Sequence, residues 1–599
     1  MTNISENELS EQFETFGVTI DDPDVVDKLK EFCIVYKLTV EDCVAEWIAF
    51  STTHSGLPIN ADTLDQLERE SLGKRLNQVK TPSSQKPTTQ QSYQMLLDDD
   101  ESEDLLDAYT PGPKARQKRV LTTPDTSSSK RTPLREQNKM DASPASSSGS
   151  ISLSSTPSQK YSSRSKSGEV VASFGPVTTV NWEGSGLGQC CVTRGEMSPC
   201  VQKAEKYKYM MQKIKRKAEV LNEVIEDMSK MLQEKYSIEN VAHLALPIQE
   251  SETIVGRICC DSNGRLNAQS VMMEGSVESS AGKQTAISLA EVKAYSLFPG
   301  QVVAMDGVNS AGVKFVASKI YPGVMGDFQP MCQSGGQRDV NLLIAAGPFS
   351  PSDAMSLEPL EDLVRVIKKT RPDACILIGP FVDVEHSLVK EGSLGESYDR
   401  IFNDIIQAIV KKTESVGCEL IFQPSLRDAQ HHFVYPQPPY PEMKNQPKRV
   451  HFIAEPEMIS INGVTIATTS TDVLFHLSRE EISCPPGSSD RLGRLVRHIL
   501  TQRNFYPLYP PAEEVPVDYD KFSRFAKMAC APHLFICPSR LRFFVKEIEG
   551  AVCVNPGLLT SGQVGGTYAR LVIKSQDSGQ DSKTDHSVAD RTAVEIVRI

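Results

Sequence analysis

The first 76 residues of the chain have apolar positions at the spacing of amphipathic helices. The apolar residues recur three or four positions apart, which places them on one helix face. Up to residue 48 these positions are Phe13, Phe16, Val25, Val26, Leu29, Phe32, Cys33, Val40, Val44, Trp47 and Ile48. Asp24 and Thr39 directly precede two of the runs and are suited to cap helices. The pattern predicts a helical domain over residues 1–78, either a packed bundle with a solvated face or a peptide-docking module.

Residues 79–198 lose this periodicity. The segment is rich in Ser, Thr, Pro, Gln and charged residues and poor in aromatic ones, so it cannot bury enough apolar surface to offset chain entropy. We therefore predict a disordered linker. Ser-Pro and Thr-Pro dipeptides recur in it, and residues 132–135 (Thr-Pro-Leu-Arg) have the proline and basic residue that cyclin-dependent kinases favour, although single dipeptides of this kind are common in linkers. The predicted phosphorylation sites are Thr110, Thr123, Thr132, Ser143 and Thr156.

Two basic clusters lie in the same segment. Their residues are Lys114, Arg116, Lys118 and Arg119 in the first cluster, and Lys130 and Arg131 in the second. Nuclear import receptors recognise basic clusters of this type, which predicts a nuclear protein. The alternative is that these clusters and the acidic run at residues 98–103 only keep the linker solvated.

Helical spacing returns over residues 199–240. The apolar positions are Ala204, Tyr207, Met211, Ile214, Ala218, Leu221 and Ile225. They predict one helix that ends near Tyr236. Its lysines alternate with glutamates, so a solvated outer face explains them better than contact with nucleic acid.

The apolar pattern changes to that of short β-strands over residues 241–328. Strands are predicted at residues 254–258, 271–273, 286–289, 301–305 and 314–319. Five short strands of this size predict an OB-fold β-barrel. Barrels that hold single-stranded DNA stack its bases on aromatic side chains, whereas the second and third strands here offer Met, Val and Ser. A barrel that binds protein is therefore favoured over one that binds DNA.

Residues 329–599 repeat an apolar strand followed by a loop with Gly or Pro. The first three strands are at residues 342–346, 375–378 and 419–422, and two more are predicted at 464–468 and 534–537. Residues 360–369 and 401–412 have the spacing of helices that cross over a buried sheet. This alternation predicts an α/β domain.

In order and spacing, the loops of this domain resemble those of the calcineurin-like metallophosphoesterases. A two-metal site needs carboxylates and imidazoles, and the resemblance implies that fold without its metal site. Proline replaces the bridging Asp of the second loop, and Pro-Ser replaces the two His of the last loop. The positions of these degenerate loops are Gly347, Pro348, Gly379, Pro380, Asp383, Asp428, Pro538 and Ser539.

Two acidic residues of the phosphoesterase pattern remain, Asp383 and Asp428. We expect Arg427 to neutralise one of them. A residual single-metal site is the alternative, and the nearby histidines that it would use are His431, His432 and His476. A working metal-dependent phosphoesterase is the competing function, and the empty first and last loops argue against it.

Composition narrows the function classes. The net charge of −13 argues against a protein that binds nucleic acid over its whole surface, so any contact with DNA must be local. No stretch has the roughly 20 apolar residues that a membrane helix needs, and the acidic, polar first residues do not resemble a signal peptide. The 14 cysteines form no Cys-x-x-Cys pair, which favours reduced intracellular thiols over structural zinc.

The order of helical head, linker, helix, barrel and inactive phosphoesterase resembles the B subunits of the replicative DNA polymerases. Residues 260–264, 295–303, 376–383 and 506–511 resemble the members of this family from polymerase α–primase complexes. The resemblance implies a subunit with no catalysis and no cofactor that binds the zinc-binding C-terminal domain of the catalytic subunit. It also implies an assembly with the primase subunits, a head that recruits replisome or telomere-capping proteins, and little direct DNA binding.

One loop of the last domain is unusually apolar. Residues 506–511 (Tyr-Pro-Leu-Tyr-Pro-Pro) are atypical of a solvated surface. We expect this loop to support or border a docking surface, with a role in covering the edge of the core as the alternative.

Overall fold

The structure, a computed structural model, describes residues 159–184, 190–194, 208–262, 264–329, 339–484, 490–575 and 588–599, together with scattered positions between residues 25 and 67. The chain divides into two units, Met1–Leu96 and Leu97–Ile599. Among the helices of these described ranges, none is long and apolar enough to span a membrane.

Several apolar positions of the first unit are among its described residues. These residues are helical and buried: Val25, Val26, Leu29, Phe32, Val44, Trp47, Leu64 and Leu67. Most of the head lies outside the described residues, so the helical domain over residues 1–78 stays a prediction.

The end of the predicted linker is part of the folded second unit. A short helix α1 (Gln159–Ser162) is followed by strands β1 (Val170–Phe174) and β2 (Val192–Arg194). Strand β1 pairs with the last strand of the chain, Thr592–Arg598, and β2 pairs with Glu457–Ile461. The prediction of a disordered linker up to residue 198 is therefore wrong for this part. Composition missed these strands because they are short and their partners are distant in sequence.

The helix predicted from residue 199 begins later, as α2 (Ile214–Tyr236). Met210 has a left-handed backbone with φ of 57°, which a continuing helix does not permit, and Met211 is largely exposed. Ala204 and Tyr207 lie outside the described residues. The buried face of α2 packs against the β-barrel, and the residues that meet there include Ile225, Met228, Leu232, Val255, Val302 and Ala304.

The five strands predicted for the barrel are confirmed. In chain order the elements are β3 (Ile248–Cys260), β4 (Val271–Glu274), α3 (Val277–Ser280), β5 (Gln284–Ser288), β6 (Tyr295–Leu297), β7 (Val302–Asn309) and β8 (Lys314–Tyr321). The barrel closes in the order β3-β4-β5-β8-β7. Strand β6 lies outside it and extends towards the last domain.

The last domain contains two sheets and their covering helices. Its first elements are β9 (Val340–Ala346), α4 (Glu358–Thr370), β10 (Ala374–Ile378), α5 (Ser387–Lys390), α6 (Tyr398–Lys412), β11 (Glu419–Gln423) and β12 (Val450–Phe452). Next come β13 (Glu457–Ile461), β14 (Val464–Thr468), α7 (Val473–Glu480), β15 (Ile482–Cys484), α8 (Arg491–Thr501), α9 (Tyr519–Phe525) and β16 (Leu534–Ile536). The last are β17 (Phe544–Ile548), β18 (Ala551–Asn555), β19 (Thr560–Ser561), β20 (Val564–Gly565), β21 (Thr567–Ile573) and β22 (Thr592–Arg598).

The two sheets face each other across one core. Their strand orders are β1-β22-β21-β9-β10-β11-β12 and β17-β18-β16-β14-β13-β2. Ile344, Ile376, Ile466, Ile536 and Val552 meet between them, while α4 and α6 cover the outer face of the first sheet. Strands β9 to β12 are parallel, and β9 to β11 are buried on both faces, which explains their largely apolar sequences. Their carboxyl ends therefore lie at one edge, where the loops singled out in the sequence meet.

Candidate functional site

The second and third loops are joined by an ion pair. Arg427 contacts Asp383 with both ends of its guanidinium, through Nε to Oδ1 at 3.1 Å and Nη2 to Oδ2 at 2.5 Å. Asp383 is buried, and a paired guanidinium of this geometry compensates a buried carboxylate. Arg427 thus neutralises Asp383, one of the two carboxylates for which we expected it.

Asp428 is held by hydrogen-bond donors on both of its carboxylate oxygens. Oδ1 accepts from the backbone N–H groups of Phe381 at 2.6 Å and Val382 at 3.4 Å. Oδ2 accepts from the Ser425 N–H at 2.9 Å and the Tyr440 hydroxyl at 2.5 Å. Burial raises the pKa of Asp428 to about 6, although these bonds oppose the shift. The carboxylate therefore fixes the two loops to each other.

The first and last loops make backbone contacts. The Gly347 N–H donates to the Ile378 carbonyl at 2.8 Å, and a Cβ on Gly347 would lie 2.2 Å from the Pro380 oxygen. The Pro348 carbonyl accepts from the Thr560 hydroxyl. In the last loop, the Ser539 N–H donates to the Asn555 side chain at 3.0 Å, directly after Pro538. Proline contributes no side-chain donor or metal ligand to either loop.

The three nearby histidines have separate partners. His431 contacts the Pro438 carbonyl at 2.7 Å, and His432 contacts the Tyr209 hydroxyl at 3.0 Å. His476 contacts the Tyr506 hydroxyl and the Glu514 carboxylate, each at 3.0 Å. Within the ranges that the structure describes, no three side chains of His, Cys, Asp or Glu are grouped as a metal site would require.

A buried glutamate at this edge was missed in the sequence. Glu455 is fully buried near the end of β12, and four groups donate to its carboxylate. These are Gln423 Nε2 at 2.9 Å, Thr469 Oγ1 at 2.6 Å, the Ser470 N–H at 2.6 Å and the Thr471 N–H at 3.0 Å. Burial raises the pKa of Glu455 to about 7, against the effect of these bonds. The sequence signal that could have identified Glu455 is its position shortly after a buried strand, as in the other loops of this domain.

A second polar network joins the barrel to the phosphoesterase-like domain. Strand β6 pairs with β15, so the two domains share a two-stranded sheet. Beside it, Glu481 accepts from the Ser296 hydroxyl at 2.5 Å, from Arg494 Nε at 2.7 Å and from His498 Nε2 at 3.2 Å. Burial disfavours ionisation of Glu481, but the His498, Arg494 and Ser296 contacts outweigh it and lower the pKa of Glu481 to about 2. We call this contact region the joint.

The apolar loop at residues 506–511 is part of the joint. The Tyr509 N–H donates to the Pro299 carbonyl at 3.0 Å, and the Arg257 guanidinium lies 4.7 Å from the centre of the Tyr509 ring. Tyr506 and Leu508 are buried. These two side chains pack in the core of the phosphoesterase-like domain, whereas Tyr509 and Pro511 are partly exposed and Pro510 is exposed. The expectation that the loop supports or borders a docking surface therefore stays a prediction.

Comparison with known proteins identifies the family. Family models of the DNA polymerase alpha/epsilon B subunit, of the OB domain of the DNA polymerase alpha B subunit and of the N-terminal region of that B subunit match residues 342–546, 218–323 and 7–74. The chain is 42% identical to the DNA polymerase alpha B subunit of Rattus norvegicus, over 100% of both chains. The chain belongs to the family of DNA polymerase alpha B subunits. Identity to the relative from Mus musculus is 40% over 100% of both chains, and to that from Schizosaccharomyces pombe 32% over 66% of this chain and 73% of the relative.

The positions of these matches agree with the architecture of a DNA polymerase alpha B subunit. The OB-domain model starts within α2 and ends just after β8, which confirms the predicted OB-fold. The alpha/epsilon model runs from β9 into β17. The predicted phosphorylation sites and both basic clusters lie between residues 110 and 156, outside the described residues, and stay predictions.

Proposed function

We propose that this member of the DNA polymerase alpha B-subunit family is a non-catalytic accessory and scaffold subunit of a nuclear polymerase α–primase complex. It binds the zinc-binding C-terminal domain of the catalytic subunit and supports initiation of replication by RNA–DNA primer synthesis. The observation that carries the proposal is the joint, because it unites the OB barrel and the phosphoesterase-like domain in one surface. The names of its relatives support the same assembly.

The absence of catalysis is supported by the side chains present at the loops. A two-metal centre needs several carboxylate and imidazole ligands per ion, but Pro348, Pro380 and Pro538 supply none. Arg427 already pairs with Asp383, and hydrogen-bond donors already contact both carboxylate oxygens of Asp428. The residues therefore do not fit the metals of an active phosphoesterase.

The test of this part is hydrolysis of a simple phosphodiester by the purified chain with Mn²⁺ or Mg²⁺. We expect no turnover above that of buffer with metal. A metal-dependent turnover that disappears in Asp383→Ala would establish a working phosphoesterase instead.

Partner binding is tested by co-expression with the C-terminal domain of the catalytic subunit. A stable pair of subunits buries more than about 1,000 Å² in total, which the combined barrel and phosphoesterase-like surface can supply. We expect a chain without residues 1–158 to co-purify with that domain and a chain without residues 339–599 to lose it. Loss of the complex on removal of residues 1–158 alone would assign binding to the head and linker.

The head and linker have a separate role in the proposal. The head recruits other replisome or telomere-capping proteins, and the linker is phosphorylated and provides the nuclear import clusters. A pull-down from nuclear extract with residues 1–78 as bait, analysed by mass spectrometry, tests recruitment. Import is tested by the localisation of a chain in which the lysines and arginines of both clusters are alanine.

A further inference from the structure

The carboxyl ends of helices α4 and α6 form a basic trough on the outer face of the phosphoesterase-like domain. An open cavity of about 740 Å³ lies between them. Its lining residues are Lys368, Ala408, Lys411, Lys412, Glu414 and Ser415, and the exposed Lys369 follows Lys368 in the sequence of α4. The trough is separate from both the loops and the joint, and nothing proposed above uses it.

Lysines at helix ends have an ordinary explanation, which is compensation of the last carbonyl groups and of the helix dipole. Here other groups already perform that task. Arg449 donates to the carbonyls of Val410 and Cys418 and to the Thr413 hydroxyl at the end of α6. At the end of α4, the Gly184 N–H donates to the Thr370 carbonyl at 2.8 Å. The lysine charges are therefore not required to cap these helices.

Acidic neighbours offset only part of this charge, because the lining has the one carboxylate of Glu414 against three lysines. Lys412 pairs with Glu361 at 2.8 Å. Across the described ranges, no ion pair involves Lys368, Lys369 or Lys411. In a chain with a net charge of −13, a group of surplus cations on one face creates a local positive potential that favours an anionic partner.

The lining distinguishes nucleic acid from protein as the partner. Protein interfaces are anchored by aromatic side chains and arginine in apolar pockets, and the trough offers neither a large apolar nor an aromatic side chain. Contacts to phosphate oxygens need only cations and small polar groups such as the Ser415 hydroxyl. We propose that the trough lined by Lys368, Lys411 and Lys412 binds the phosphate backbone of nucleic acid, without sequence preference. This DNA contact is independent of the proposed scaffold function and lies away from the OB barrel.

The test is fluorescence anisotropy of the full chain with a labelled DNA duplex of about 20 base pairs, titrated between about 50 and 200 mM salt. The variant combines Lys368→Glu and Lys411→Glu. The matched control combines Lys283→Glu and Lys293→Glu, two exposed lysines of the barrel segment. Because all four side chains are exposed, circular dichroism and Tm should match those of the wild type.

We expect the trough variant to bind DNA at least about tenfold more weakly than the wild type. Its slope of log K against log salt concentration should be shallower by about 1.8, because each lost phosphate contact changes the slope by about 0.9. Lys368→Gln with Lys411→Gln should lower the slope by the same amount, and the barrel control should leave it unchanged. An unchanged slope in the trough variant overturns the proposal. A loss of DNA affinity in the barrel control alone would also overturn the proposal. Displacement of bound DNA from the wild type by an equimolar acidic peptide of residues 97–104 would overturn it as well, because the trough would then be a protein site.

Discussion

Replacement of Glu455 by Gln should remove a pH dependence of stability that the buried carboxylate creates. The pKa of Glu455 is about 7 in the folded protein, against an ordinary value of 4.5. The folded state therefore retains this proton to higher pH than the unfolded state does. Stability from this group is complete below about pH 4.5 and is lost as the pH rises towards and through about 7.

The size of the effect follows from the two pKa values. At about 1.36 kcal/mol per pH unit, the full loss is about 3 kcal/mol, and about 2 kcal/mol of it falls between about pH 5.5 and pH 8. In a domain of this size, about 2 kcal/mol corresponds to roughly 4–8 °C in Tm. Gln cannot accept from all four donors around Glu455, so Glu455→Gln also has a cost of about 1–2 kcal/mol that does not change with pH.

The assay is differential scanning calorimetry of the full chain across this pH range. We expect the Tm of Glu455→Gln minus that of the wild type to increase by roughly 4–8 °C between about pH 5.5 and pH 8. Glu442→Gln, at an exposed carboxylate of the same domain, is the control and should show a constant difference. A constant difference in Glu455→Gln as well would refute the argument, since the carboxylate would then be ionised in the fold throughout the range.

Three further predictions address the linker and the joint. Removal of residues 1–158 should leave the Tm of the second unit within about 2 °C, whereas removal of residues 1–198 deletes β1 and β2 and should lower it by roughly 5 °C or more; equal values would show that the two strands contribute nothing. Gly300→Ala places a Cβ 2.4 Å from the Tyr509 nitrogen at a φ of +100°. Limited proteolysis should therefore cut between the barrel and the phosphoesterase-like domain at least about tenfold faster. The control is Gly282→Ala, where a Cβ would meet open space. Alanine at Thr110, Thr123, Thr132, Ser143 and Thr156 should abolish a mitotic mobility shift, because each phosphate adds about −1.5 to −2 charge; an unchanged shift would place phosphorylation elsewhere.

The parts of the fold that sequence predicts are those with a strong local pattern. Strands β9 to β11 are continuous apolar runs because they are buried on both faces, and the barrel strands alternate over short segments with Gly-marked turns. The apolar spacing predicts an earlier start for α2, because Met211 continues the helical pattern while the backbone at Met210 is left-handed. The spacing of apolar residues does not reveal the backbone angle of a single residue.

The parts that sequence does not predict depend on partners far along the chain. Tyr509 is apolar enough to suggest an external surface, and only the fold places Pro299 and Arg257 against it. The Asp383–Arg427 pair could be predicted from the sequence because both residues belong to recognisable loops. Glu455 belongs to no motif, and its four donors come from two separate strand ends, so its role emerges only when those strands are assembled.

The pairing of β1 with β22 has a consequence for biosynthesis. Phe174 of β1 is aligned with Val594 of β22, so the first strand of the sheet leaves the ribosome with more than about 400 residues still to be made before its neighbour exists. At about 5–20 residues per second, that interval is roughly 20–80 s. β1 has no partner strand during this interval, and β9, once made, lacks β21 until residues 567–573 have been synthesised. Completion of the sheet therefore waits for the synthesis of β22.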